Sequence, residues 1–514
     1  MRSWWVVSAL AAMGCGPVVA PATVFYASGA DLQSINPLLT VHPLARQVQR
    51  YALFTTLARY DTALVARPYL AAEWRWSADR RTLDLTLRRD VRWHDGEPTT
   101  AADVVFTLDA ARDPLTGYPR ESDLECLTDV RGIDSATVRL IFCRPQAGIP
   151  DVLTDLAILP AHRFAGLPHE QLRRAPFNEH PVGNGPFRFL SHVPGERWVF
   201  EANPDFPAAL GGPPGIGRLV IVVVDEPATK LAGLVTGELD VAGIQPMHAG
   251  LVRKDPSLAV VDYPVLLTYG LVWNTRRPPF DDAGLRRALT LALDRRAMVD
   301  AYLYGFGAVA DGPVPPWHPL AVPVARVPFD RAASRSLLDS LGWSAGADGV
   351  RRRDGRSLAV TILTVGAADN SLEQMIQADL GAVGVRVRIR QLELGAFLSR
   401  AGGAPRDYDA LVTGVLGDLS LGYLRGLFDS RRLAEPLQYA QYASAAVDRA
   451  LDAGDLAEVQ RIVARDLPIT FLYHARGLAG MSRRVRGVRM DLRGELATLR
   501  RWHLDPRGAK AGPW

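Results

Sequence analysis

The chain predicts an α/β protein of more than one lobe, and three observations carry that reading. At 514 residues it exceeds what one hydrophobic core can organise. Short apolar strands alternate with helical patterns between positions 358 and 412, the order that builds βαβ units. A strand, a turn and a capped helix follow one another between positions 83 and 114. The composition, 48% hydrophobic and 22% charged, is that of an ordinary globular protein.

In chain order, the first element is a leader. Arg2 precedes an apolar run from Trp4 to Met13, followed by Gly14-Cys15-Gly16-Pro17. A short basic region, a short apolar core and small residues suit a secretory signal over residues 1–20. The run is too short to span a bilayer, and no other segment is long and apolar enough to do so. Ala12-Met13-Gly14-Cys15 resembles a lipobox, in which the cysteine is lipidated and becomes the first mature residue. Plain cleavage near Ala20 or Ala22 is the alternative.

Next comes the block at 69–114. Leu83, Leu85 and Leu87 alternate with polar residues, as in a half-buried strand. His94-Asp95-Gly96 is a turn, so His94 reads as a turn or core residue rather than a metal ligand. Thr100 stands three residues before Asp103, the spacing of a capping box. Val104, Val105, Leu108 and Ala111 recur at helical spacing, and Pro114 ends the helix. Beyond it, Cys126 and Cys143 lie nearly equidistant from a turn near Asp134-Ser135. In an antiparallel pair they would face each other, and an exported compartment permits a disulfide between them. Two small buried thiols are the alternative.

Later elements alternate. Residues 358–363 read as a strand, 372–382 as a helix, 385–389 as an alternating strand and 408–412 as another strand. Gly342-Trp343-Ser344-Ala345-Gly346 matches the Gly-x-Ser-x-Gly of a nucleophile elbow, which raises a serine hydrolase as a remote reading. An elbow needs a strand before it and a helix after it, whereas 337–341 reads as a helix and a hydrophilic turn follows. There is no phosphate loop and no His-Glu-x-x-His, and the ten histidines are dispersed, so neither a metal nor a cofactor is expected. Net charge is only +4, and the arginines are scattered rather than clustered with aromatics, which speaks against nucleic acid as a partner.

Several short motifs, in order and at matching spacing, resemble one family over nearly the whole mature chain from Val24 to about Leu504. They include Ile35-Asn36-Pro37, the 69–114 block, and Pro181-Val182-Gly183-Asn184-Gly185-Pro186. Asn203-Pro204-Asp205-Phe206, Gly237-Glu238-Leu239-Asp240, Trp273-Asn274-Thr275 and Leu285-Arg286-Arg287-Ala288-Leu289 belong with them. The chain thereby resembles the extracytoplasmic solute-binding proteins of peptide and nickel ABC importers, family 5. That resemblance implies a periplasmic-binding-protein-like, two-lobe Venus-flytrap fold with an extra subdomain and a hinge of two crossing strands. It implies lobe I from 21–60, 181–262 and 480–514, its subdomain from 61–180, and lobe II from 263–479.

The functional expectations follow from the same resemblance. The chain is expected to be a monomeric, periplasmic or otherwise extracytoplasmic receptor, not an enzyme. It would capture an oligopeptide-like or other small polar solute and deliver it to ABC permease subunits with their ATPases. A lipidated Cys15 would add the membrane surface as a partner. A non-transport receptor or a chaperone-like peptide binder on the same fold is the alternative. In peptide-binding relatives an Asp holds the ligand's α-ammonium; Gly417 and Asp418 occupy the matching positions, with Val415 where relatives carry Trp. Dipeptide-binding relatives place an Arg in the loop that is 365–369 here, and this loop has none, which favours longer peptides over a strict dipeptide ligand. Tyr269, Trp273 and Trp317 are candidate cleft aromatics, with core packing the alternative for each; Ser28 and Gly29 would offer backbone groups. Peptide, metal complex, haem, opine and sugar remain open as ligands.

Overall fold

Two strands are long enough to belong to both halves of the molecule. In the computed structural model, which describes residues 22–40, 42–366 and 370–505, they are Leu258–Trp273 and Ile469–Ser482, of 16 and 14 residues. The leader, with Cys15, lies outside the described residues. At about 3.3 Å per residue the shorter strand runs roughly 46 Å. The two pair antiparallel from Leu258 opposite Ser482 to Val272 opposite Ile469. They form the middle of an eleven-stranded sheet.

On one flank, Val241–Gly243 pairs with the second long strand, and Thr23–Ser28, Arg218–Val223, Arg197–Ala202 and Phe187–Val193 follow outward. On the other flank, Ala410–Leu416 pairs with the first long strand, and Ala359–Val365 and Arg386–Leu392 complete the sheet. The sheet is thus shared by two lobes joined through two crossing strands, the fold that the resemblance implied.

The crossing strands fall out of step twice, between Pro264 and Thr268 and between Tyr269 and Gly270. Pro264 has no N–H to give the ladder. The carbonyls freed beside it find partners in lobe II: the Trp317 indole donates to Val265 at 2.9 Å and the Gly417 amide to Leu266 at 2.6 Å. Buried backbone groups demand such partners, so the slip anchors lobe II at the floor between the lobes.

Beyond the slip both faces of the sheet are covered, and strand residues alternate between two cores. Leu271, Trp273, Ala410 and Val412 face one core, while Val272 and Leu411 face the other. Helices Ala283–Ala292, Arg331–Ser340 and Ser371–Gly381 supply the first of these cores. The helix and strands expected at 358–412 are present, with edges shifted by one to four residues.

Lobe I is tied together by residues distant in sequence. Asp240 is buried, accepts the Phe25 amide at 2.9 Å and pairs with Arg484, which also donates to the Thr23 carbonyl. Gly183 and Gly185 lie against the backbone at Leu53: a Cβ on Gly183 would stand 1.9 Å from the Leu53 carbonyl oxygen. Asn184 between them accepts the Thr55 amide and donates to Thr99.

The 69–142 region forms a separate four-stranded sheet that shares lobe I's core. Leu83, Leu85 and Leu87 point inward and are buried. Helix Ala101–Arg112 carries the expected capping box, with the Thr100 amide donating to Asp103 at 2.7 Å. Cys126 and Cys143 flank the paired strands Leu127–Gly132 and Thr137–Phe142 and form a disulfide. His94 sits in its turn, its amide bonded to Gly183 and its Nε2 against the Gly185 carbonyl. Burial lowers its pKa to about 4, which keeps it neutral.

Candidate ligand-binding cleft

Between the lobes, over the slipped stretch of the crossing strands, lies a cleft of about 440 Å³. That volume falls in the ordinary range for small-ligand sites. Its floor is formed by 263–267 and 475–477, one wall by lobe I and the subdomain, and the other by 416–419 of lobe II. The segment at 491–495 closes one side.

The lobe I wall is built around one carboxylate. Helix Pro43–Val48 presents Arg46, the following turn presents Arg50, and Arg120 comes from the subdomain. All three guanidiniums pair with Asp155, at the end of the short helix Val152–Asp155. Burial would raise the Asp155 pKa; Arg50, Arg46 and Arg120 overcome that and hold it at about 2. One helical turn earlier, Asp151 accepts a hydrogen bond from the Tyr60 hydroxyl. Burial pushes the Asp151 carboxyl above its usual range; hydrogen bonds from Tyr60 and Ser420 oppose the shift, and Asp418 across the cleft adds to it. The two lobes therefore meet here through acidic residues.

On the lobe II wall Asp418 follows strand Ala410–Leu416. Its Oδ1 accepts the Ser420 and Gly422 amides and the Ser420 hydroxyl, and its Oδ2 accepts the Tyr423 amide at 2.9 Å. Asp418 thus shapes its own loop and leads into helix Tyr423–Phe428. With about four acceptor sites on a carboxylate, split evenly between its oxygens, the remaining capacity is on Oδ2. At the closing segment Glu495 accepts the Tyr263 hydroxyl at 2.8 Å, and burial pushes its carboxyl up to about 7.

The other expected site residues separate into groups. Gly417 lines the cleft with Asp418. Trp317 stands behind the floor, its indole on Val265, its ring edge-on to His474 and the Arg476 guanidinium 5.3 Å from its centre. Trp273 is corrected from a cleft aromatic to a core residue. It is fully buried, stacks on Phe280 at 5.2 Å and donates its indole N–H to Thr470. Tyr269 stacks on Tyr473 at 5.0 Å beside the same core and is not among the cleft-lining residues. Ser28 and Gly29 do not line this cleft, and the Ser28 carbonyl is taken by the Val224 amide.

Ser344 does not sit in an elbow. Helix Arg331–Ser340 precedes it, and its exposed two-residue strand Ser344–Ala345 turns back to pair with Arg351–Arg353. Among the described residues no group of three or more His, Cys, Asp or Glu side chains is placed to hold a metal, and no helix is long and apolar enough to cross a membrane. A larger hollow of about 890 Å³ lies beside 312–329 of lobe II, but its guanidiniums are committed: Arg295 and Arg326 to Asp311, Arg296 to Asp300.

Arg46, Arg50, Arg120, Asp151, Asp155 and Glu495 went unnoticed in the sequence. A signal was present: Arg46 and Arg50, like Asp151 and Asp155, are four residues apart, so each pair shares a helix face. Nothing in the sequence says that the two faces meet.

Residues 66–424 match the family described as bacterial extracellular solute-binding proteins, family 5. The chain belongs to that family. Protein XP55 of Streptomyces lividans is 30% identical over 87% of this chain and 83% of its own length. The oligopeptide-binding protein AppA of Bacillus subtilis is 26% identical over 88% of this chain and 86% of its own. The structure of AppA in complex with a nonapeptide superposes with a TM-score of 0.77 at 24% identity, over 95% of this chain and all of that one. The family is one of solute-binding proteins rather than enzymes, and it acts outside the cytoplasm.

Proposed function

We propose that this family 5 protein captures a peptide-like solute in the cleft between its lobes and hands it to a membrane ABC permease. The observation that carries the reading is the 440 Å³ cleft over the crossing strands, with Asp418 on one wall and an arginine cluster on the other. A peptide is a zwitterion with a backbone that can join a strand edge, and such a cleft offers partners for both charges. The names of AppA and of its nonapeptide complex agree with this ligand class. Export and anchoring of the chain through Cys15 belong to the same reading. So does the division into lobe I, its subdomain and lobe II at the boundaries given above.

Asp418 is the proposed ammonium partner, through the free capacity of its Oδ2. Native mass spectrometry of the protein purified from its own host identifies the cargo, and calorimetry with that cargo compares wild type with Asp418→Asn. Asparagine keeps an oxygen for the loop amides but removes the charge. Affinity should fall by roughly 1.5–3 kcal/mol. An unchanged affinity would exclude Asp418 from the site. Failure to bind any member of a random peptide pool would exclude the peptide reading itself.

A further inference from the structure

We infer that Arg46 and Arg50 receive the terminal carboxylate of the ligand held in this cleft. The inference rests on the peptide reading above and adds the residues that read its far end.

Donors and acceptors at this wall do not balance. Three guanidiniums bring roughly fifteen N–H donors to Asp155, a carboxylate with about four acceptor sites. Arg120 has a second partner in Asp123, and that is the only further acid paired to the three among the described residues. Asp151, another carboxylate on the wall, bonds Tyr60. Three positive charges thus share two acids. The side chains are only 15–30% exposed, so water screens the excess incompletely.

One donor without a partner belongs to this wall and a second lies behind it. Arg50 Nε is buried without a partner. Gln49, the residue before it, is buried at 2% exposure, and its Nε2 also lacks a partner. Gln49 faces a separate, water-sized void of about 10 Å³ behind the wall, bounded by Arg46, Arg120 and Asp155, and does not line the cleft itself. Buried donors without acceptors are rare and call for an oxygen. A planar guanidinium is the group that holds a carboxylate with two parallel hydrogen bonds. Asp418 lies across the same cleft, so a ligand with an amino group at one end and a carboxylate at the other would meet an opposite charge at each.

The test offers the full-length chain an equimolar mixture of a random pentapeptide pool as free acids and as C-terminal amides. Retained peptides are counted by mass spectrometry. Free acids should be retained about tenfold or more over amides, the effect of one charge-assisted pair. Arg50→Gln should bring that ratio near one, whereas a merely structural role would lower acids and amides together and leave the ratio where it was. Arg46→Gln serves as the second variant, because two guanidiniums remain on Asp155 in either protein. Equal retention of acids and amides by the wild type would overturn the assignment and leave the peptide reading standing. Retention of neither pool would overturn the peptide reading, and this assignment with it.

Discussion

Replacing Asp155 by asparagine should loosen lobe I while keeping the shape of the side chain. The carboxylate is 10% exposed and is the common partner of Arg46, Arg50 and Arg120. A carboxyl held at about 2 in the folded chain, against 3.8 when unfolded, contributes on the order of 2–3 kcal/mol at neutral pH. Asparagine leaves three guanidiniums facing a neutral amide, and such breaks in buried pairs cost up to roughly 3–5 kcal/mol. The expected loss is therefore about 2–4 kcal/mol, read as a lower urea midpoint at pH 7. The sign of the pH dependence is fixed. The folded pKa is depressed, so the stabilisation is complete above 3.8 and fades as pH falls through about 2. Wild type and variant should converge in that window. A loss below about 1 kcal/mol at pH 7, or a gap that stays constant down to pH 2, would refute the account of Asp155 as the charge holding this wall together.

Two further outcomes are expected. Glu495 is an acid whose folded pKa, about 7, lies above its unfolded 4.5, so the folded chain binds more protons between those values and loses stability as pH rises through them. The side chain is only half-buried, so roughly 1–2 kcal/mol is at stake; Glu495→Gln should melt higher than wild type at pH 8 and alike at pH 4, and equal melting at both would remove the claim. The Cys126–Cys143 disulfide closes a loop with a sequence separation of 17 residues, so Cys126→Ser with Cys143→Ser should cost about 3 kcal/mol, with melting that no longer responds to a reductant.

What the sequence made legible was local. The capping box of Thr100 and Asp103, the inward leucines at 83, 85 and 87, and the strand–helix order of 358–412 each depend on neighbours a few residues away. The motif order identified the family because spacing along a chain survives substitution. Trp273 shows the limit. Cleft and core both stood open for it in the sequence, and which of them it entered depended on the helices that pack there. The arginine wall shows it more strongly: Arg46, Arg120 and Asp155 are separated by 35 to 109 residues and meet only in the folded chain. Asp418 was placed by position, yet the number of acceptor sites its own loop consumes could not be read before Ser420, Gly422 and Tyr423 were seen around it.

The misstep at Pro264–Thr268 has a mechanical side. Residues there have already given up their cross-strand bonds, so the ribbon can pivot at that point without tearing the ladder on either side. With an arm of about 23 Å on each side, a turn of roughly 10° would carry each outer rim some 4 Å. The spacing of the two outer rims is thus set by the angle at one joint, where the ladder is already interrupted.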